Sequence, residues 1–195
     1  MKKLLINDIK WFVLIILASI IAWTSVFSIL NKPKDYETLK LFISTSSYSE
    51  ERINEELNSD NQYKNVIIHG IDITNENYMA LLQTNGVLFS DLLILNEEVL
   101  EFEGLDSAFV KLENDYLSQY GIDLSQYELI YVNETPIGIV IYDGTTNLLS
   151  EYMTFGGNSK YFLCLNTESY HTDKYSVKEK NVSNKAFETL AALLK

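Results

Sequence analysis

A single cysteine in 195 residues, Cys164, allows no intramolecular disulfide and no thiolate metal cluster, so stabilisation has to come from the core. Cys164 lies in the apolar run Tyr161 to Leu165, has no base in view, and reads as a small buried hydrophobe. Histidine is nearly as scarce: His69 falls inside an apolar strand and His171 in a polar loop, and neither has a metal-like neighbour in sequence. Basic residues are outnumbered, 15 Lys and Arg against 27 Asp and Glu, and the net charge of -12 opposes both a phosphate backbone and anionic lipid headgroups. Nucleic acid is therefore not expected as a partner. The acidic pairs Glu97-Glu98 and Glu101-Glu103 read at this composition as solvated faces or helix starts, not as an acid and base. Gly156-Gly157 lacks both the strand-loop-helix setting and the following Lys-Ser or Lys-Thr of a phosphate loop, so it reads as a turn. No metal, cofactor or catalytic residue is implied, and no enzyme is expected. Asn133-Glu-Thr and Asn181-Val-Ser match the glycosylation triplet, but such triplets arise by chance in an Asn-rich chain.

What is present is a hydrophobic fraction of 47% with 13 Tyr and 9 Phe, enough core-sized side chains for a folded domain. A mass of 22.4 kDa has room for one such domain beside a membrane segment. From Trp11 to Leu30 there is no charged residue and no proline, and at about 1.5 Å per residue this stretch matches a bilayer's hydrocarbon core. Ser19, Thr24, Ser25 and Ser28 can bond back to their own helix. The stretch is longer than a signal peptide's apolar region, and Val26-Phe27-Ser28 matches a cleavage site poorly, so an uncleaved anchor is expected. Lysines tie across it, Lys2, Lys3 and Lys10 against Lys32, Lys34 and Lys40; the α-amino group adds a cation to the short tail and favours keeping that tail in the cytoplasm. The expected organisation is a cytoplasmic tail (1–10), an anchor (11–30), a linker (31–38) and an extracytoplasmic domain (39–195).

Within the domain, apolar runs of strand length alternate with stretches of helical period, the pattern of an α/β fold with a mostly parallel sheet between helical layers. Strands are predicted at Leu39–Ser44, Asn65–Ile71, Asp91–Leu95, Glu128–Val132, Ile137–Tyr142 and Tyr161–Asn166. The fourth and fifth flank Asn133-Glu134-Thr135-Pro136 as an antiparallel pair, which makes the sheet mixed. Ser47 with Glu50 forms a capping box for a helix that buries Ile53 and Leu57; Thr74 caps a second helix ending at an αL cap at Asn85-Gly86. Asp106 starts a third, with Phe109, Leu112, Tyr116 and Leu117 on one face and Gly121 at its end; Ser183 caps a last one carrying Phe187, Leu190 and Leu194. Ligands of open α/β sheets bind beyond the carboxyl ends of the strands, which singles out Ser46, Ser47 and Tyr48 after the first strand, with Asn96 and Glu97 after the third.

The segments LKLFIST, SDLLILNEEVL, TPIGIVIYDG and KYFLCLNTES, with the final amphipathic helix, resemble in their order the first lobe of the type 2 periplasmic solute-binding proteins of ABC importers. That resemblance covers about Leu39 to Leu194. In the family the chain leaves for a second lobe after the position matching Tyr142, whereas here Asp143 to Ser159 alone separates that point from the next strand. A single lobe lacks the surface that closes over a ligand. The resemblance therefore implies an interaction module acting with a membrane complex such as a transporter or sensor. The alternative is a small-ligand receptor whose site a partner or second copy completes.

Overall fold

The computed structural model describes residues 2–58, 63–102, 105–177 and 184–194. The chain divides into two compact units, Met1–Lys34 and Asp35–Lys195.

The first unit is one helix, α1 (Lys2–Leu30), of which Ile9–Leu30, 22 residues, is long and apolar enough to cross a membrane. A helix that packs on a protein core hides one stripe. None of residues 9–30 is hidden. Two of its hydroxyls are satisfied internally, Thr24 donating to the carbonyl of Ile20 at 2.9 Å and Ser25 to that of Ile21 at 2.8 Å, as hydrocarbon surroundings would require.

The second unit takes in Asp35–Thr38, residues whose polarity suggests a linker. A 3-10 turn at Asp35–Glu37 is tied down by ion pairs, Asp35 to Lys40 at 2.9 Å and Glu37 to Lys64 at 2.6 Å. Six strands follow, β1 (Thr38–Ile43), β2 (Asn65–Gly70), β3 (Leu92–Asn96), β4 (Leu129–Val132), β5 (Thr135–Tyr142) and β6 (Tyr161–Leu165). They form one mixed sheet in the order β2-β1-β3-β6-β5-β4. The β1–β2 and β1–β3 pairings are parallel and the other three antiparallel, so four strands run one way and only β4 and β6 oppose them. The predicted hairpin is β4–β5, turned by Asn133 and Glu134, both at positive φ (47° and 66°). This is the type I′ geometry whose twist suits a hairpin. Pro136 precedes Gly138, where the β5–β6 pairing begins, so its missing N–H interrupts no bond to β6.

Side chains of successive residues leave the sheet on opposite faces. Leu39, Leu41, Ile43, Leu92, Ile94, Leu163 and Leu165 enter one core layer, and Phe42, Leu93, Leu95, Phe162 and Cys164 the other. Every residue of β3 and β6 is buried, which accounts for their unbroken apolar character. Ile67 is only half-buried, because β2 is an edge strand. The first layer is covered by α2 (Glu50–Asn58) through Ile53 and Leu57, and by α5 (Lys185–Leu193) through Phe187, Leu190 and Leu193. The second is covered by α3 (Tyr78–Leu81), the π-helical turn Leu82–Val87 and the side chains of Val99, Leu105, Ala108 and Phe109.

Local predictions fail where tertiary contacts outweigh the local signal. The helix expected from Asp106 is a 3-10 turn, Asp106–Ala108, then an extended stretch: Phe109 bridges Asn166, and the amides of Val110 and Leu112 donate to the carbonyls of Leu165 and Pro136. Phe109 belongs to one core layer and Val110 and Leu112 to the other, so the chain crosses from face to face, which a helix stripe cannot do. Only Asn114–Leu117 (α4) is α-helical, and the turn after it ends, as expected, at a left-handed Gly121. The capping box does not form: α2 begins at Glu50 and Ser49 caps it, because Ser47 and Tyr48 are paired with another segment. Thr74 sits in a turn closed by the Asp72 carboxylate, and α3 starts later, at Tyr78. Gly86 is not left-handed; a Cβ there would lie 2.9 Å from Leu82 Cδ1 and 3.3 Å from Leu93 and Phe42, so the glycine answers to packing. Ser183, Glu103 and the Asn181 triplet lie outside the described residues.

Candidate functional site

The connections from β1 to β2 and on to β3 lead to opposite sides of β1, which puts the topological switch point at the carboxyl ends of β1 and β3. Ser46, Ser47 and Tyr48 follow one of these ends, Asn96 and Glu97 lie at the other. The crevice between them is filled by the protein's own chain.

The filling segment runs from Asp143 to Ser159. It opens on a turn in which the Asp143 carboxylate accepts the amides of Thr145 and Thr146 and the Thr145 hydroxyl, bonds that hold its pKa down to about 2. It then pairs antiparallel with the loop after β1: the Ser49 amide donates to the carbonyl of Tyr152, the Thr154 amide to that of Ser47, and Tyr48 and Met153 form a bridge. Leu149, Met153 and Phe155 point into the core, with the Phe155 ring 4.5 Å from that of Tyr161 and 5.4 Å from that of Tyr142. At its far end the Glu97 carboxylate accepts the Lys160 amide at 2.8 Å, Glu98 accepts the Ser159 hydroxyl at 2.9 Å, and Lys160 pairs with Glu128 at 2.5 Å. The acidic cluster that composition marks as solvated is thus partly a clamp.

These contacts separate the five predicted residues. Asn96 is buried, and its side-chain oxygen accepts the Glu98 amide to start the 3-10 turn Glu97–Glu101, while Glu97 is occupied by Lys160. Ser46, Ser47 and Tyr48 line an open hollow of about 460 Å³, together with Ser49, Arg52 and Ser150 among others. Asn96 and Glu97 are not in its wall. Arg52 donates to the carbonyl of Glu151 at 2.9 Å, and the Tyr48 ring packs against Gly70, where any Cβ would overlap it. What the sequence misses is the other half of the hollow, residues 150–154, whose Ser-Glu-Tyr-Met-Thr carries no binding pattern.

Deeper in the loop, Ser44 and Tyr78 share a hydroxyl–hydroxyl bond of 2.5 Å, and burial raises the Tyr78 pKa well above its usual value. Both residues are buried, and the bond braces the end of β1 against the start of α3 on the second core layer.

A second polar group lies at the opposite end of the sheet. The Ser169 hydroxyl donates to Asp91 Oδ1 at 2.5 Å, the Lys40 amide to Asp91 Oδ2 at 2.8 Å, and the His171 amide to Ser169 Oγ at 2.9 Å. The composition is that of a hydrolytic triad, but the order is not: the His171 ring faces the Thr38 carbonyl at 3.3 Å instead of the serine oxygen. All three residues are buried, so the group is a brace. His171, read from its polar neighbours as a loop residue, is completely enclosed, and burial lowers its pKa despite the bond to Thr38. Cys164 is likewise enclosed, and desolvation raises its thiol pKa far above the usual range. Among the described residues, no group of His, Cys, Asp or Glu is placed to hold a metal ion. Comparison of the chain with protein-family models, with curated proteins and with solved structures found no match, which leaves the geometry of this site as the guide to its role.

Proposed function

We propose that the chain is a single-pass membrane protein whose extracytoplasmic domain is a protein-interaction module, a reduced solute-binding-protein-like lobe that acts with a membrane complex such as a transporter or sensor. The observation behind this reading is the segment Asp143–Ser159, which lies across the crevice where an open α/β fold would take a small ligand and puts Met153 and Phe155 into the core. A shallow, open, polar surface remains outside it. Small-molecule sites usually bury about 70 to 90% of their ligand. A hollow this open to solvent suits a protruding element of another protein better. The polar character of the Ser46–Arg52 wall supports the second reading, a small-ligand receptor completed by a partner or a second copy.

The two readings separate in one experiment on full-length protein. With a photo-crosslinking residue in place of Ser46, irradiation of native membranes should trap a discrete protein, and melting in detergent should be unmoved by sugars, amino acids, oligopeptides, phosphate, sulfate or metal ions. A ligand at 100 times its dissociation constant stabilises by about 2.7 kcal/mol, roughly 5 to 10 °C for a domain of this size. A rise of that order, lost in a Ser46→Ala, Ser47→Ala, Arg52→Ala variant, would replace the interaction module with the receptor.

A further inference from the structure

At the amino ends of the parallel strands, the turn before β3 exposes two large apolar side chains, Leu88 (51%) and Phe89 (59%). Scattered single apolar residues are common on a surface, whereas adjacent large ones on one tip form a patch of the kind that marks an interaction or membrane site. Here the fold holds them out. The fully buried Asn166 spends its Nδ2 on three carbonyls of this turn, those of Gly86, Val87 and Ser90, at 3.3, 2.7 and 2.7 Å. The Ser90 hydroxyl closes the turn onto Asn85 at 2.6 Å, and the amides of Leu88 and Ser90 donate to Gln83 and Gly86. The tip is rigid and its apolar display is built in.

The turn also lies where the chain enters the domain. Asp91, two residues past Phe89, bonds Lys40 through both backbone and side chain, and Lys40 Nζ stands 5.8 Å from the Phe89 ring and 2.9 Å from Asp35, the first residue of the domain. Exposed Tyr36 and Val177 are at the same end, Val177 held by its amide to the Thr167 carbonyl just past β6. Asp35 is five residues from Leu30, the last of the apolar helix, a reach of at most about 17 Å. The acids nearest the entry, Asp35 and Glu37, are paired with Lys40 and Lys64, so the net charge of -12 is not concentrated there.

We infer that this end is a membrane-apposed face: Leu88 and Phe89 insert into the interfacial layer of the bilayer that holds the anchor, a contact driven by apolar burial and not by anionic headgroups. The inference rests on the anchor proposed above and does not depend on which side of the membrane the domain occupies.

The test uses full-length protein, one copy per phosphatidylcholine nanodisc, with a nitroxide on Leu88→Cys or, as a control, on Asp72→Cys beyond the carboxyl end of β2. The buried Cys164 does not compete for the label. Relaxation by oxygen, which partitions into lipid, is compared with relaxation by a water-soluble nickel chelate. The expected result is a label at 88 that is several-fold more accessible to oxygen than to the chelate, with the reverse at 72. Equal accessibility to the chelate at both positions overturns the inference, and shielding of position 88 from both reagents assigns the face to protein contact instead. Failure of the protein to co-elute with discs removes the anchor itself, and the inference with it.

Discussion

His171 shows how a single residue ties the fold to solution conditions. It is fully buried against Thr38 and edge-on to Tyr63, with ring centroids 5.6 Å apart, and desolvation holds its folded-state pKa below the usual value of about 6.5. The unfolded chain therefore binds a proton that the folded one resists. Stability is complete above about pH 6.5 and declines as pH falls from there towards the depressed folded value. Denaturant midpoints at pH 7.5 and 5.5 should show this loss in the wild type, and His171→Asn should flatten it. An unchanged slope would mean that the imidazole already carries its proton in the fold. None of this is legible from Ser-Tyr-His-Thr, because what encloses His171 is Thr38 and Tyr63, more than 100 residues away in the chain. The site residues divide in the same way: Ser46, Ser47 and Tyr48 follow from the rule about strand ends, whereas Asn96 is taken up by the amide of Glu98 and Glu97 by the distant amide of Lys160, which depends on where the chain returns.

At the scale of elements, strands are legible and helix ends are not. A buried strand needs only a nearly unbroken apolar run: β3 and β6 supply one, and β1 is broken only by the half-buried Lys40. A helix end is decided by what competes for its first and last amides, and Ser47 and Thr74 each find another partner. The segment Asp143–Ser159 is the least legible element, with little regular structure, yet it fills the crevice. If it is part of the core and not a loose cover, Phe155→Ala should cost about 3 to 5 kcal/mol in denaturant unfolding, as buried aromatic truncations do. A cost below about 1 kcal/mol would mean that the crevice opens readily and would favour the receptor.

For the whole molecule, the division into an apolar helix and an α/β domain is legible from composition alone, since an uncharged stretch of this length and a 27-to-15 excess of acid do not belong to one environment. Orientation is set by the weaker signal of a few cations. With the domain proposed to be extracytoplasmic, alkaline phosphatase fused after Lys195 should be active and a cytoplasm-only reporter at the same place silent. The reverse pattern would withdraw the importer-related reading and leave an anchored cytoplasmic domain.

The direction of β1 has a consequence for what can bind. The strand starts at the tether and ends at the hollow, and its six residues at about 3.3 Å each put roughly 20 Å between the two. Under the proposed anchoring, a short tether would confine the domain to a thin layer, where a partner in the same membrane would be met at a high effective concentration. With the amino end of the sheet against the membrane, as inferred above, height would act as a filter: a partner whose bulk stays within the lipid would not reach the hollow, while one that carries its own domain above the surface would.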